Sequence, residues 1–378
     1  MSSPAVRRVL IVGGGIAGTS LALQLQRAGI ETEILEKQPV WGATGTGITL
    51  MGPALRALQR LGLLDRCLAE GTGFTEMTLF TADGDFLEKV KLHQLLGPNY
   101  PAIGGMLRPT LHRIVSEAAL DRGVKVRTSA SITALRQHAS CVEVDLTDGT
   151  SDSYDLVVGA DGWRSRVRRL LLGPQDPEPY FLGQAVWRVV LDRPAAVTGE
   201  FQFYGPGVKA GFTPLGPDRM YMFLVEPDAS PVCPEPSRRP ARMRELLAPF
   251  GGVVAEIRDT ITDPEQIDVR PLYAVLLPAP WYRGRVLLVG DAAHATTPQL
   301  AMGGAIALED SLVLSELLAS ESDLETALST FMRRRFDRCR MVVENSVQLS
   351  EWEKSAAEHG ADAARLQNES FAALAAEI

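Results

Sequence analysis

The 378-residue sequence predicts an α/β protein: a discontinuous domain on a parallel sheet, an inserted, mainly antiparallel sheet, and a C-terminal helix. Three observations carry that expectation. Short apolar runs at Arg8–Val12, Asp155–Val158 and Arg285–Val289 each lead into a glycine turn, as buried parallel strands do. Between them, Phe201–Tyr204 and Arg219–Val225 alternate in character, as strands with two unlike faces do. From residue 303 to about 373 the composition is helical.

In chain order, Arg8–Val12 is a strand, Gly13–Gly18 a turn, and Ile16–Ala28 a helix carrying apolar Ile16, Leu21, Leu23 and Leu25 and ended by Gly29. Glu33–Glu36 is the second strand, and such a βαβ unit requires a parallel sheet. Residues 41–47 are a glycine-rich loop. Pro53 opens a helix over Ala54–Leu61, where its missing N–H is not needed. Residues 73–100 read as strands and turns with a hairpin signal at Asp83-Gly84, and Arg108–Ala119 as a helix. Asp121–Ile132 and Cys141–Leu146 read as strands, with a turn at Asp148-Gly149. Pro174, Pro177 and Pro179 punctuate a linker, and prolines between 227 and 240 a loop. Pro240–Phe250 and Pro264–Ile267 read as short helical pieces. The division that follows is 1–72, 101–178 and 270–345 for the first domain, 73–100 and 179–269 for the second, and 346–378 for a helical extension.

Composition narrows the function. With 46% hydrophobic and 22% charged residues the chain is expected to fold throughout. A net charge of −8 argues against binding nucleic acid or an anionic membrane surface. The four cysteines form no CxxC pair and the five histidines no HExxH, so no metal site is expected. No run of about 18 apolar residues occurs, so no membrane span is expected, and the protein reads as cytoplasmic.

The first motif is Gly13-x-Gly15-x-x-Gly18 between strand and helix, with Ile16 and Ala17 inside it. Glycine suits the tight turn, the approach of a pyrophosphate and helix–strand packing, and the helix N-terminus offers N–H groups to phosphate. Glu36 ends the next strand, where its carboxylate can accept ribose hydroxyls, and Lys37 follows it. Together these read as a Rossmann-like dinucleotide site, NAD or FAD, with the acid disfavouring a 2′-phosphate. A second motif, Gly159-Ala160-Asp161-Gly162, has two readings: ligand contact, or a turn in which Asp161 caps a helix. The third is Gly290-Asp291, followed by Pro298, Gly303 and Gly304. Here an aspartate can reach a ribose or ribityl hydroxyl and a glycine pair opens a helix. His294 reads as a packed surface histidine, and the run Arg333–Arg335 as a solvated face.

This ordered set resembles the class A, single-component FAD-dependent aromatic hydroxylases, similar to salicylate and hydroxybenzoate hydroxylases, urate hydroxylases and tetracycline-inactivating monooxygenases. The resemblance runs from residue 6 to about 340. It implies FAD as cofactor, NADH or NADPH as co-substrate, O2 and a small aromatic or polycyclic phenolic substrate, and a monomer or homodimer. By resemblance, the first motif binds the ADP moiety, Asp161 lies by the pyrophosphate, Asp291 holds the ribityl chain, and Arg108, Gly47 and Ile48 contact the flavin. Gly303, Gly304 and Ala305 face the flavin pyrimidine. There Ala301, Met302 and Ala305 stand where the family usually has Gly, Gln and Asn.

Hydroxylation through a flavin C4a-hydroperoxide is implied, with the chemistry carried by the flavin and no protein group assigned as catalytic. Substrate contacts are expected from Arg188, Gln202, Tyr204, Phe212, Tyr221, Phe223 and Pro298. Gln202 and Tyr204 share one face of their strand. The alternatives are a flavin-dependent reductase or epoxidase on the same fold, or a non-catalytic FAD-binding protein.

Overall fold

Val9, Leu10 and Ile11 have no exposed surface, because the sheet they occupy lies inside one core that also holds the helix Ile16–Arg27 and the small antiparallel sheet of Ile132–Gln137, Val142–Leu146 and Ser151–Tyr154. That is why its strands read as unbroken apolar runs. The computed structural model describes residues 5–205, 207–227 and 229–378. Residues 1–4 of the 1–72 span and residue 228 of the 227–240 loop lie outside the described residues.

The first sheet has six strands in the order Tyr282–Arg283, Val286–Leu288, Leu156–Gly159, Arg8–Val12, Glu31–Leu35, Lys125–Arg127. All pairs are parallel except the edge pair made by Tyr282–Arg283. Its strands come from the beginning, middle and later part of the chain. The helices Ile16–Arg27 and Gly303–Ser320 pack against each other beside it.

The second sheet has seven strands in the order Ile267–Ala274, Tyr180–Asp192, Arg219–Glu226, Lys209–Pro214, Glu200–Tyr204, Glu76–Thr81, Phe86–Lys91. All pairs are antiparallel except Glu200–Tyr204 with Glu76–Thr81. Strand alternation sorts its residues sharply. Trp187, Phe201, Phe203, Phe212, Met222 and Leu224 bury one face against the helices Arg239–Leu247 and Gly252–Arg258. Arg188, Glu200, Gln202, Tyr221 and Phe223 occupy the other face and line a cavity.

Several expectations need correcting. Gly47, placed at the end of the 41–47 loop, instead opens a strand, Gly47–Met51, antiparallel to Ile103–Leu107. Asp121–Ile132 holds the short strand Lys125–Arg127 and, at Ile132, the start of the strand Ile132–Gln137, because Asp121 and Gly123 still close off the preceding helix. The strand Ile267–Ala274 runs through the expected 269/270 division. The helix Leu324–Glu353 runs through the one at 345/346, and Ala356–Ala375 follows it. Among the described residues, no helix is long and apolar enough to cross a membrane.

Candidate active site

One cavity of about 740 Å³ connects the two sheets. At one end lie Gly14, Gly15, Ile16 and Ala17, where the first strand turns into its helix. Gly13 holds φ +110°, and a Cβ there would stand 2.4 Å from the Ala160 carbonyl oxygen. A side chain is therefore excluded twice over. At Gly15 a Cβ would meet nothing within 4 Å; the space belongs to the cavity. No side chain caps this helix, so its first N–H groups remain for a ligand.

The turn is held from behind. Glu36 accepts from the Gly14 N–H (3.0 Å) and, through its other oxygen, from the Gln38 N–H (2.9 Å). The Gly14 carbonyl accepts from Trp41 Nε1 at 2.9 Å and lies 2.6 Å from His112 Nε2. Glu36 is thus fixed at the cavity wall with a lone pair to spare on each oxygen.

Asp291 opens on the cavity yet is enclosed by protein at longer range. That enclosure pushes its carboxyl above the usual range, opposed by the Arg108 and His294 charges. Beside it, the helix Gly303–Ser320 begins without a side-chain cap, and Gly303 and Gly304 line the cavity. Thr46 Oγ1, Thr297 Oγ1 and Gln299 Oε1 are buried at this wall with no protein partner. Unpaired buried polar atoms facing a cavity are what a polar ligand would satisfy.

On the opposite wall, Tyr221 OH lies 2.5 Å from Thr49 Oγ1, which lies 3.2 Å from Thr213 Oγ1. Thr213 donates to Glu200 at 2.5 Å. Burial pushes the Glu200 carboxyl up to about 7, against the opposing hydrogen bonds of Thr213 and Gln202 and the charge of Lys209. Burial raises the Tyr221 phenol and lowers the Arg188 guanidinium from their ordinary values. Lys209 pairs with Glu353 (3.7 Å) from the long helix, and Gln367 and Phe371 of the last helix also reach the cavity.

Of the residues singled out in the sequence, Gly15, Ile16, Ala17, Glu36, Gly47, Ile48, Arg108, Asp291, Gly303 and Gly304 meet in this one cavity. So do Arg188, Gln202, Tyr221, Phe223 and Pro298. The others stand elsewhere. Gly13 and Gly18 are packing glycines behind the turn, and Ala305 is buried in the core. Lys37 is exposed away from the cavity. Asp161 takes its capping reading: its carboxylate accepts from Ser165 Oγ and from the N–H groups of Arg166 (2.6 Å) and Val167 (3.1 Å). Phe212 has no exposed surface and packs edge-on against Phe203, on the face turned away from the cavity. Tyr204 shares the face of Gln202, bonding it at 3.0 Å, but does not line the cavity. Sequence reading missed Glu200, Thr213, Thr49 and Lys209. Glu200 stands two residues before Gln202, so the same alternation could have found it.

His294 and Arg335 are the clearest corrections: both are buried. Asp310 accepts from the Gly290 N–H (3.0 Å) and contacts His294 Nε2 (2.7 Å) through one oxygen, and accepts from Arg335 Nε (2.8 Å) through the other. Arg335 also donates to Glu309 (2.9 Å). Burial alone would keep the imidazole neutral, but Cys339 and Asp310 hold it well above the ordinary histidine range. The network anchors the backbone that presents Asp291. His294, Asp310 and Cys339 lie close enough to suggest a metal site, but the Arg335 guanidinium occupies the Asp310 and Cys339 side of it.

Comparison with known proteins matches residues 7–346 to the FAD binding domain family. A 2-heptyl-3-hydroxy-4(1H)-quinolone synthase of Pseudomonas aeruginosa is 35% identical over 91% of this chain and 90% of that protein. The aurachin C monooxygenase/isomerase of Stigmatella aurantiaca is 32% identical over 92% and 90%. Among solved structures, Klebsiella pneumoniae HpxO complexed with FAD and uric acid superimposes with a TM-score of 0.84, covering 98% of this chain and 93% of that one, at 24% identity.

Proposed function

The chain belongs to the FAD binding domain family as a class A FAD-dependent monooxygenase, and from that premise we propose that it hydroxylates a small phenolic or N-heteroaromatic ring held against its second sheet. The observation that carries this reading is the single cavity joining the glycine turn, Asp291 and Gly303 to the Tyr221–Glu200 wall. The residues present fit FAD: an uncapped helix start behind an open Gly15, a fixed Glu36, and orphaned polar atoms at the Asp291 end. In this reading the parallel sheet is the Rossmann-like unit. The turn at Gly14–Ala17 receives the pyrophosphate, Glu36 the ribose, Asp291 the ribityl hydroxyls, and Arg108 with the Gly303 helix start the polar edge of the ring system.

FAD supplies the activation of dioxygen once reduced by NADH or NADPH. The chain's own residues do the rest. The seven-stranded sheet positions the substrate ring: Phe223, Val186 and Val225 offer apolar surface, while Tyr221, Arg188 and Gln202 offer hydrogen bonds. Phe371 and Leu272 extend the apolar wall that excludes water. The uncapped helix start at Gly303 places positive potential at the site, stabilising negative charge there. NADH and NADPH consumption by FAD-loaded protein, with and without a panel of phenols and quinolones and with peroxide quantified, tests this. Acceleration by one compound with little peroxide is the expected outcome; FAD binding without acceleration by any of them contradicts it.

A further inference from the structure

The groups Tyr221, Thr49, Thr213 and Glu200 form an unbroken hydrogen-bonded line along the cavity wall, and none of them is among the residues assigned above to FAD. Its spacings are 2.5, 3.2 and 2.5 Å. An ionised Glu200 only accepts, so Thr213 must donate to it. Thr213 then accepts from Thr49, and Thr49 from Tyr221. The remaining lone pair of the Tyr221 oxygen is left for a group in the cavity. We propose that this line is a proton wire that takes the proton of a substrate O–H or ring N–H bonded to Tyr221 and delivers it to Glu200. The inference rests on the reading that this wall holds the substrate.

The step balances without an oxidant or reductant. The substrate O–H or N–H bond breaks and leaves its electron pair on the ring. Each of the three hydroxyls gives one proton and receives one, and an O–H bond forms on Glu200. The ring becomes electron-rich, as attack on an electrophilic oxygen requires. The path is shielded: Glu200 and Thr213 are buried. Every element around it faces it with groups that fit. Lys209, on the neighbouring strand, is the cation whose charge acts on Glu200, and it is partly occupied by Glu353 of the long helix. Arg188 faces Tyr221 from the next strand, where it stabilises an anion at the ring. Gln202 and Tyr204 complete the strand of Glu200, and Met77, its parallel neighbour, is apolar. The wire specifies the substrate class: a ring with an ionisable O–H or N–H, and not a hydrocarbon or an alkyl ether.

The test uses FAD-loaded protein and 4-nitrophenol, whose anion is yellow. Two coupled acids lose their protons in two shared steps. The bound probe therefore colours in two steps with rising pH in the wild type and in one step in Glu200→Gln. Thr213→Val keeps both charges and breaks the wire. It retains two steps, but colour development after a pH jump slows by roughly a hundredfold, the scale of general acid–base assistance. A single step shared by wild type and Glu200→Gln, or an unchanged rate in Thr213→Val, overturns the proposal. Failure of 4-nitrophenol to bind while FAD binds counts against the phenol reading of the cavity. Infrared titration without ligand then decides separately: a carboxyl band titrating near pH 7 and missing in Glu200→Gln supports Glu200 as acceptor, and its absence from the wild type overturns it.

Discussion

Gly47 shows how one residue shapes the ring site. A Cβ at this position would stand 1.9 Å from Tyr221 Cδ1, so the strand can lie against the phenol ring only because nothing projects there. Gly47→Ala should push the ring aside and lower the substrate-dependent rate by roughly a hundredfold, the cost of an ångström-scale misplacement, with FAD still bound. Stopped-flow rates beside flavin absorbance check this. Glu200 makes the second prediction. Its carboxyl keeps a proton up to about pH 7 in the folded protein and loses it near 4.5 when unfolded. The native state therefore binds more protons between those values, and stability falls as pH rises through them. Glu200→Gln removes that loss. It should be more stable than the wild type above pH 7, by up to about 3 kcal/mol, and gain nothing below pH 4.5. Urea unfolding at the two pH extremes measures the difference. Ala301 gives a third. It holds φ +53°, in the left-handed region that costs an L-residue about 1–2 kcal/mol. Ala301→Gly should stabilise by about 0.5–1 kcal/mol after its own entropy cost, measured by thermal unfolding.

At the scale of elements, the segments with regular patterning were legible and the tertiary exceptions were not. Alternation in Phe201–Tyr204 separated Gln202 from Phe201 and Phe203, and the structure buries those two phenylalanines on the core face while Gln202 lines the cavity; the faces of Arg219–Val225 were not assigned from the sequence. Phe212 was misplaced because its strand, Lys209–Pro214, had not been phased against its neighbours; pairing with Phe201 puts it on the core face. The strand at 47–51 was hidden by its glycine-rich lead. Arg335 was read as solvated because it sits in an arginine run, yet the helix turns that one member inward onto Asp310 and Glu309. Arg335→Met should cost about 3–5 kcal/mol, since it takes one cation from two buried carboxylates and leaves His294 alone to balance Asp310 and Arg338 to balance Glu309. The Asp310 carboxyl is held down at about 2 despite burial, by the His294 and Arg335 charges. Its contribution is thus present above its unfolded value and fades as pH falls toward 2. The penalty for Arg335→Met should accordingly shrink in acid, as denaturation across the acid range would show.

At the scale of the whole molecule, function arises because two sheets of opposite construction share one cavity. The parallel sheet brings two uncapped helix starts to the cavity, and the second sheet brings it a face of apolar and ionisable side chains. The first half was legible from Gly13–Gly18, Glu36 and Gly290–Asp291, because positive φ at Gly13 and Gly290 and the close approach of backbone at Gly18 force glycine there, and the two acids stand at fixed places beside those turns. The second was legible only as a class. A cavity wall is assembled from residues as distant as Thr49, Glu200 and Phe371, and no local pattern records that they meet. The last helix is tied in by Arg56 and Arg338, which donate to the carbonyls of Ala375, Ala376 and Leu374 and so place Phe371 at the cavity. The measurement that tests the account most directly is isotope transfer from labelled dioxygen, with FAD-loaded protein, NADH or NADPH, and the phenol or quinolone that most accelerates nucleotide oxidation. The account predicts one labelled oxygen atom in the product ring for each nucleotide consumed. Nucleotide oxidation that yields only peroxide and unlabelled compound, with every ring tested, would contradict it.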